Sequence, residues 1–388
     1  MTESDPAAVQ TQLQELLERR ILLLDGSMGA FIFARKLDEM GYRGKRFADH
    51  PIDLRNCNDV LVLSRPEIIS DIHRMYLEAG SDIIETDTFN ASGISLAEYG
   101  LDEYTREINR EAVRLAKTLC EEYTRKNPLK PRFVAASIGP MNVSLTQPID
   151  DTDPSLRAVT FDEVVQGYSE QIHGLIEGGV DILLPETSFD TANMKACLFA
   201  IRQVFSETGV TLPVMISGTI FDGGRTLQAQ TLESFVTSVS HFPAFSLGLN
   251  CSLGPDQMRP FIEEIAQRSP GYVSCYPNAG LPNEMGEFDM SPGEMAGYLQ
   301  EYARNGWLNI VGGCCGSTPD HIKAIGEAVE GVKPHQPHTV SDYAHFCGLE
   351  TLTVRPETTF LMVGERTNVT GSKKFARLIK EEQYEEAL

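Results

Sequence analysis

The feature of this sequence that most constrains its fold is a repeat of short apolar runs separated by helix-length segments. Eight such runs occur, at 21–27, 82–88, 133–140, 181–188, 214–220, 246–252, 272–280 and 308–315. Each is apolar almost throughout and ends in polar residues or glycine, which is typical of a buried parallel strand. Strands that alternate with helices form βαβ units. Eight units predict an α/β protein, a (β/α)8 TIM barrel.

The segments between the runs carry helix signals. One helix is predicted to start at Pro66 and end at Gly80, and two others cover 161–179 and 291–306 and also end at glycines. An open doubly wound sheet would usually have a G-x-G-x-x-G turn after a strand, and the sequence contains none. The connection 28–65 is polar and predicted to be irregular, as a lid or a substrate loop.

The charge of the chain excludes several classes of partner. The sequence has 33 Lys and Arg against 55 Asp and Glu, a net charge of −22. Binding to nucleic acid or to anionic lipid needs clustered basic residues instead. The N-terminus is polar and has no signal-peptide pattern, and the apolar runs are too short to span a bilayer. The sequence therefore predicts a cytoplasmic protein with neither a nucleic-acid nor a membrane partner.

Polar residues and cysteines follow the predicted strands, where the active site of a barrel lies. Of the eight cysteines, three stand at strand ends: Cys251 after the sixth strand, and Cys314 with Cys315 after the eighth. The other five are expected to be small buried hydrophobic residues. The remaining strand-end candidates are Asp25, Ser27, Met28, Glu85, Asp87, Asn90, Glu186, Thr187, Ser188, Asn250, Tyr276 and Asn278.

The three strand-end cysteines allow several interpretations. Three thiolates leave a fourth coordination position open, as catalytic zinc sites do, and soft sulfur ligands favour zinc over magnesium or calcium. Alternatively, the adjacent pair Cys314–Cys315 forms a disulfide or a redox couple, or all three are core residues. The sequence has no C-x-x-C or H-x-x-x-H motif, so spacing alone leaves these alternatives open.

Other strand-end stretches also have two interpretations each. The turn Asp25–Gly29 is either an anion-binding nest for a carboxylate or a plain strand-to-loop turn. Glu85 and Glu186 either bind an ammonium group or form salt bridges at the rim. Thr318 and Pro319 read as the N-cap and first residue of a helix, and His321 is expected on the surface of that helix.

Several motifs together resemble one known family. They are LDGSMGAFI, SDIIETDTFN, LLPETSFDTAN, LNCSLGP, YPNAGLP and GGCCGSTPDHI, and over residues 15–330 they are similar to the homocysteine methyltransferases. The resemblance implies a zinc-bearing barrel that binds homocysteine, with Cys251, Cys314 and Cys315 as thiolate ligands and the substrate sulfur as the fourth ligand. It implies Asn278 as the fourth ligand when substrate is absent.

The resemblance also implies where the rest of the substrate lies. The turn of Asp25, Gly26, Ser27 and Met28 would contact the amino-acid carboxylate or the sulfur, and Glu186 would bind the ammonium group, in a site that also includes Glu85 and Asn250. No catalytic residue is expected beyond the zinc-activated substrate thiol. Ser27, Ala30 and Asp87 depart from the family pattern, which usually has Gly, Thr and Asn there.

The C-terminal part suggests one branch of the family. Residues 360–388, FLMVGERTNVTGSKKFARLIKEEQYEEAL, are predicted to form a strand, a turn that contains Gly and Ser, and the opening of an amphipathic helix. They resemble the start of the pterin-binding barrel of cobalamin-dependent methionine synthases. The expected domains are therefore a homocysteine-binding barrel (1–330), a linker (331–359) and a truncated start of a pterin- or folate-binding domain (360–388).

This branch implies methyl transfer from methylcobalamin to homocysteine, which forms methionine. Methylcobalamin and 5-methyltetrahydrofolate would be bound by the cobalamin-binding and folate-binding modules of the same protein. One alternative is a stand-alone homocysteine S-methyltransferase that uses betaine or S-methylmethionine. Another is a module that captures homocysteine and zinc without turnover of its own.

Overall fold

The computed structural model describes residues 6–150, 152–153, 155–283, 286, 288–337, 343–364 and 368–387. The chain divides into two compact units, Met1–Ser341 with Phe346–Thr351, and Asp342–His345 with Leu352–Leu388. The three predicted domains at 1–330, 331–359 and 360–388 stay predictions. Residues 338–342 of the predicted linker, and 365–367 and 388 of the third segment, lie outside the described residues.

All eight predicted strands are present in the first unit, and they pair in parallel. They are β1 Leu22–Leu23, β2 Ile83–Glu85, β3 Phe133–Ile138, β4 Ile182–Pro185, β5 Met215–Gly218, β6 Ser246–Asn250, β7 Tyr272–Tyr276 and β8 Ile310–Val311. Hydrogen bonds define two sheets, β1-β8-β7-β6-β5 and β2-β3-β4. Single contacts extend them: a parallel bridge joins Leu183 to Val214, and the Asp82 N–H donates to the Leu23 carbonyl at 2.8 Å. The α/β class is confirmed, and the closed barrel stays a prediction.

Helices separate consecutive strands. They are α1 Pro6–Arg19, α2 Met28–Ala34, α3 Glu39–Arg43, α4 Leu61–Ser64, α5 Pro66–Ala79, α6 Gly93–Ala97, α7 Thr105–Lys126, α8 Phe161–Gly178, α9 Thr191–Thr208, α10 Leu232–Val239, α11 Pro255–Arg268, α12 Pro292–Arg304, α13 Pro319–Val329, α14 Lys373–Lys380 and α15 Tyr384–Ala387. The predicted ends of α5 and α8 are confirmed, because Gly80 and Gly179 cap them with left-handed backbone. Across the described residues, no helix combines the length and apolar character needed to cross a bilayer.

The connection 28–65 is irregular over residues 44–57, as predicted, but the rest of it is largely helical. It contains α2, α3, α4 and a short 3-10 helix, Asn58–Val60. The side chains of Ser27 and Asp38 cap α2 and α3 by accepting from backbone N–H groups three residues on. Ile32 and Tyr42 are buried on these helices. The segments are too short for helical periodicity to stand out in the sequence, and packing against the core stabilises them.

Strand side chains contribute to two separate buried clusters. Leu23, Ile84 and Val134 belong to the larger one, with the apolar faces of the helices. Their neighbours Leu22, Ile83 and Ala135 belong to the smaller one, together with Tyr276 and two leucines of α1. This alternation is the two-residue period expected of strands, and it leaves the carboxyl ends of the strands free to carry polar groups.

The chain after residue 330 differs from the prediction in several respects. The predicted linker contains a two-stranded sheet, β9 Ala344–Cys347 with β10 Thr351–Val354. The prediction that Cys347 is buried is wrong, because the residue is exposed on this strand, whereas Cys57, Cys120, Cys197 and Cys275 are buried as expected. The strand predicted at the start of 360–388 does not form over the described residues 360–364. A strand needs a hydrogen-bonding neighbour, and Phe360, Met362 and Val363 are instead highly exposed. The amphipathic helix predicted after it is present as α14.

Candidate metal centre

Three thiols meet at the carboxyl ends of β6 and β8. The sulfurs of Cys251, Cys314 and Cys315 all lie within 4.8 Å of one another, and those of Cys251 and Cys315 are 3.8 Å apart. Two thiolates on one tetrahedral zinc, with bonds of about 2.3 Å, are separated by about 3.8 Å. Among the described residues, this is the one group of three or more His, Cys, Asp and Glu side chains placed to bind a metal ion. Its size and soft donors fit zinc.

The glycines before the thiol pair bring it against the first strand. The Gly313 N–H donates to the Asp25 carbonyl at 3.0 Å. A Cβ atom at Gly313 would lie 2.3 Å from the Ser317 Oγ, and Ser317 in turn donates to the Cys314 carbonyl at 2.7 Å. Only glycine therefore fits at 313, and the Ser317 hydroxyl fixes the turn that carries Cys314.

The third thiol is presented by strained backbone. Cys251 and Ser252 both have left-handed backbone, with φ of 59° and 61°. Thr187, at the end of β4 in the same site, has φ of 54°. Each such residue costs on the order of 1 kcal/mol or more, and such strain concentrates at functional sites. Here it turns the Cys251 side chain towards Cys315.

Hydrogen bonding among the thiols favours one negative charge on Cys251. The bonds from Cys314 and Cys315 lower the pKa of Cys251 to about 3, and Asn278 contributes in the same direction. The hydrogen bond with Cys251, together with the charge of that thiolate, raises the pKa of Cys315 to about 12. The hydrogen bonds with Cys251 and Cys315 raise the pKa of Cys314 well above its usual range. Asn278 is buried, and its Oδ1 accepts from the Cys315 N–H at 3.1 Å. The protein therefore stabilises a thiolate at this site before any cation is considered.

Three carboxyl groups lie at the neighbouring strand ends. Asp25 and Glu186 are buried, and Glu85 is half-buried. The Glu85 N–H donates to Asp25 Oδ2 at 3.0 Å, while Asp25 Oδ1 has no hydrogen-bond partner among the described residues. Burial raises the pKa of all three, that of Glu186 to about 7, and the charge of Glu186 raises the other two further. Such a cluster is complementary to a cationic group.

Asn250 connects the carboxyl groups to the thiols. Its Nδ2 donates to Glu186 Oε2 at 3.3 Å and to Thr187 Oγ1 at 2.7 Å, and lies 4.0 Å from the Cys314 sulfur. Its Oδ1 accepts from the Thr187 N–H at 3.0 Å. The other oxygen of Glu186 accepts from Ser137 Oγ at 2.5 Å. The orientation of Glu186 is thus set by β3 and β6.

The first turn is closely packed against the thiol loop. A Cβ atom at Gly26 would lie 2.7 Å from Ser317 Oγ and 2.9 Å from the Tyr76 ring. The Ser27 N–H donates to Ser317 Oγ at 3.2 Å, and the Ser27 hydroxyl caps α2, whose first residue is Met28. Both the N–H and the hydroxyl of Ser27 therefore already have hydrogen-bond partners within the protein. They are not available to bind a substrate carboxylate as an anion-binding nest would.

Three residues of the site carried no clear sequence signal. Ser137 lies in β3, where it is the single polar residue of an apolar run. Ser317 belongs to the turn after the thiol pair. Tyr76 lies in the last turn of α5, and its hydroxyl donates to the carbonyls of Ser27 at 3.0 Å and of Ser317 at 3.2 Å. Of these, Ser137 was accessible to sequence reasoning, because it stands near the end of a predicted strand.

The prediction that His321 lies on the surface is wrong. His321 is buried, and its Nδ1 accepts from the Thr318 N–H at 3.2 Å while its Nε2 lies 2.9 Å from the Met290 carbonyl. The ring completes the capping of α13 together with Thr318. A histidine at the third position of a helix can take the role usually played by Glu or Gln. The predicted N-cap at Thr318 and first residue Pro319 are confirmed.

The fold and the site together define an α/β protein with a candidate thiolate metal centre beside an acidic pocket. The family model described as homocysteine S-methyltransferase matches residues 22–329, so the chain belongs to that family. Among solved structures it is similar to the homocysteine methyltransferase MmuM from Escherichia coli. The metallated form has 22% identity and a TM-score of 0.63, covering 81% of this chain and 98% of that chain. The oxidized form has 21% identity and a TM-score of 0.63, covering 84% and 99%. At these identities the likeness concerns the fold.

Proposed function

We propose that this chain binds homocysteine in a (β/α)8 barrel and activates its thiol on a zinc ion for methyl transfer that forms methionine. The observation that carries the proposal is the convergence of three thiols within 4.8 Å beside buried carboxyl groups. Membership of the homocysteine S-methyltransferase family supports homocysteine as the substrate. The acidic charge of the chain supports a cytoplasmic role without nucleic acid or membrane.

Cys251, Cys314 and Cys315 are the residues that would bind zinc, with Asn278 as a further ligand when substrate is absent. A free thiol with a pKa near 8.5 is mostly protonated at neutral pH, whereas the thiolate is the nucleophile. Zinc would stabilise the substrate sulfur as a thiolate. Three cysteine thiolates keep this centre electron-rich, and the half-exposed position of all three leaves access for a substrate.

The remaining groups of homocysteine would be bound by the strand ends around the thiols. Glu186, with Glu85 and Asp25, is the proposed site for the ammonium group, because burial raises the pKa of all three and a bound cation would stabilise their charged forms. The substrate carboxylate would lie away from these acids, towards Gly26 and Met28. Asn250 would maintain the distance between the ammonium site and the sulfur, since it contacts both Glu186 and Cys314.

The proposed methyl donor is methylcobalamin, carried with 5-methyltetrahydrofolate by other modules of the same protein. The resemblance of residues 360–388 to the start of a pterin-binding barrel supports this choice. The alternative is a stand-alone enzyme that uses betaine or S-methylmethionine. It is supported by the likeness to MmuM, because the match covers 98% of the MmuM chain.

A comparison of donors tests the proposal. The zinc-loaded chain is incubated with homocysteine and free methylcobalamin, betaine or S-methylmethionine, and methionine is quantified. We expect product from methylcobalamin, loss of it in Cys314→Ala, and retention in Cys275→Ala, whose thiol lies buried in the core. Turnover with betaine or S-methylmethionine alone would instead support the stand-alone enzyme. No product from any donor would contradict the methyl-transfer step.

A further inference from the structure

Tyr276 carries a hydroxyl that packing does not explain. The side chain lies at the end of β7, is 1% exposed, and belongs to the smaller of the two buried clusters. Its hydroxyl has no hydrogen-bond partner among the described residues. The great majority of buried polar groups have such a partner, and leaving one unpaired costs about 1–3 kcal/mol. A phenylalanine would fill the same space without this cost.

Tyr276 differs from three other buried tyrosines of the described residues in having an unpaired hydroxyl. Three other tyrosines are buried to the same degree, and each donates to a backbone carbonyl: Tyr76 to Ser27, Tyr168 to Gly139 and Tyr302 to Pro255. The missing partner is therefore not a general consequence of burying a tyrosine in this fold. An unpaired buried donor inside a candidate site indicates a hydrogen bond that forms when the site rearranges around its substrate.

The surroundings of the hydroxyl indicate which partner that is. Tyr276 pairs in register with Asn250, which in turn contacts Glu186. Burial and then the charge of Glu186 raise the pKa of Tyr276, and the Tyr276 hydroxyl is one of the groups that limit the burial-raised pKa of Glu186. The hydroxyl therefore lies near the Glu186 carboxyl group. Glu186 Oε1 has a short bond from Ser137, whereas Oε2 has only the 3.3 Å contact from Asn250. Glu186 Oε2 can therefore accept a further hydrogen bond, and Tyr276 is the nearby donor without a partner.

We propose that Tyr276 is a positioning residue for Glu186, whose carboxylate it orients by hydrogen bonding when the ammonium group of the amino-acid substrate is bound. The inference rests on the proposed function, and it deepens the account of that same site. With Ser137, Asn250 and Tyr276 as donors, Glu186 would keep one orientation and present a fixed acceptor to the ammonium group. The ring of Tyr276 is packed in the smaller buried cluster, so it has little freedom to turn its hydroxyl away from Glu186.

The test compares Tyr276→Phe with the wild-type chain, both loaded with zinc. Titration calorimetry is run with homocysteine and with 4-mercaptobutanoate, which has the same thiol and carboxylate but no ammonium group. We expect about a tenfold weaker affinity for homocysteine, the scale of one hydrogen bond to a charged group, and no change for 4-mercaptobutanoate. If Tyr276 had a purely structural role, the substitution would change the affinities for both ligands by the same factor. The matched control is Tyr302→Phe, which should leave both affinities unchanged.

A second variant tests whether Tyr276 acts through Glu186. Glu186→Gln should weaken homocysteine binding, and adding Tyr276→Phe to it should weaken binding by less than about twofold more, because residues in one network are not additive. Equal loss for both ligands, no loss for either, or a full tenfold loss on top of Glu186→Gln would overturn the inference. A wild-type chain that binds zinc but not homocysteine would overturn the proposed function itself.

Discussion

Gly313 determines where the adjacent thiols lie, because no larger residue fits between them and the turn that follows. A Cβ atom there would lie 2.3 Å from Ser317 Oγ and 2.4 Å from Ser317 Cβ. Both atoms belong to a side chain that already bonds to the Cys314 carbonyl and accepts from the Ser27 N–H. Any shift of Ser317 would therefore move the thiol loop and the first turn together.

Gly313→Ala is expected to lower the free energy of unfolding by about 1–3 kcal/mol, the usual cost of overpacking, and to reduce zinc content below one ion per chain. Chemical denaturation and metal analysis measure the two effects. Gly297→Ala is the matched control: no atom lies within 4 Å of a Cβ there, and the residue is inside α12. The control should be neutral or stabilising by up to about 1 kcal/mol. Equal zinc content in both variants would contradict this role of Gly313.

At this scale the sequence predicted the residues that stand at strand ends. Cys251, Cys314 and Cys315 could be proposed together because the carboxyl ends of parallel strands meet at one face. The contacts made by Tyr76 and Ser317 could not be predicted, since they depend on how α5 packs over the first turn. His321 was placed on the wrong face, because one histidine in a short helix gives no periodicity from which its orientation can be read.

The two ends of the strands have different roles. The carboxyl ends carry the candidate site, whereas the amino ends are joined by buried ion pairs. Asp82, fully buried just before β2, accepts from Arg20 at 2.7 and 2.9 Å and from the Leu23 N–H of β1 at 2.9 Å. Arg132, just before β3, lies 3.5 Å from the same carboxylate. One side chain thus joins the beginnings of three strands.

Asp82→Asn is expected to destabilise the fold by about 3 kcal/mol, because it removes a fully buried carboxylate from the partly exposed Arg20 and the largely buried Arg132. The zinc content of the protein that remains folded should stay at the wild-type level, since the substitution is at the opposite end of the strands from the thiols. Urea denaturation and metal analysis check the two statements. Asp71→Asn, which removes an exposed pair with Arg35 at 3.7 Å, should cost less than about 1 kcal/mol. Loss of zinc without loss of stability in Asp82→Asn would contradict the separation of roles.

Elements with strong patterns were predictable, and those that depend on tertiary contacts were not. The eight strands and the helix ends at Gly80 and Gly179 follow from apolar runs and glycine caps. The short helices within 28–65 and the hairpin of β9 and β10 were missed. Each is only a few residues long, so periodicity is weak and the choice of structure depends on neighbours that the sequence does not identify.

Over the whole chain, the proposed function combines a strongly acidic surface with a site that concentrates further negative charge. The net charge is −22, and the site adds three thiols and three carboxyl groups. Burial raises the pKa of the three carboxyl groups and so favours their neutral forms. Zinc and the substrate ammonium group would instead stabilise the charged forms of the thiols and carboxyl groups. The account of the molecule therefore depends on a metal ion bound by the three thiols.

Zinc content is the most direct test of that claim. Metal analysis by mass spectrometry is made on the purified, reduced chain and on Cys251→Ala, Cys314→Ala and the control Cys275→Ala. The account predicts one zinc per chain in the wild type and in Cys275→Ala, almost none in the two site variants, and proton release when homocysteine is added to the zinc-loaded chain. A folded, reduced wild-type chain that takes up no zinc, or site variants that keep it, would contradict the account.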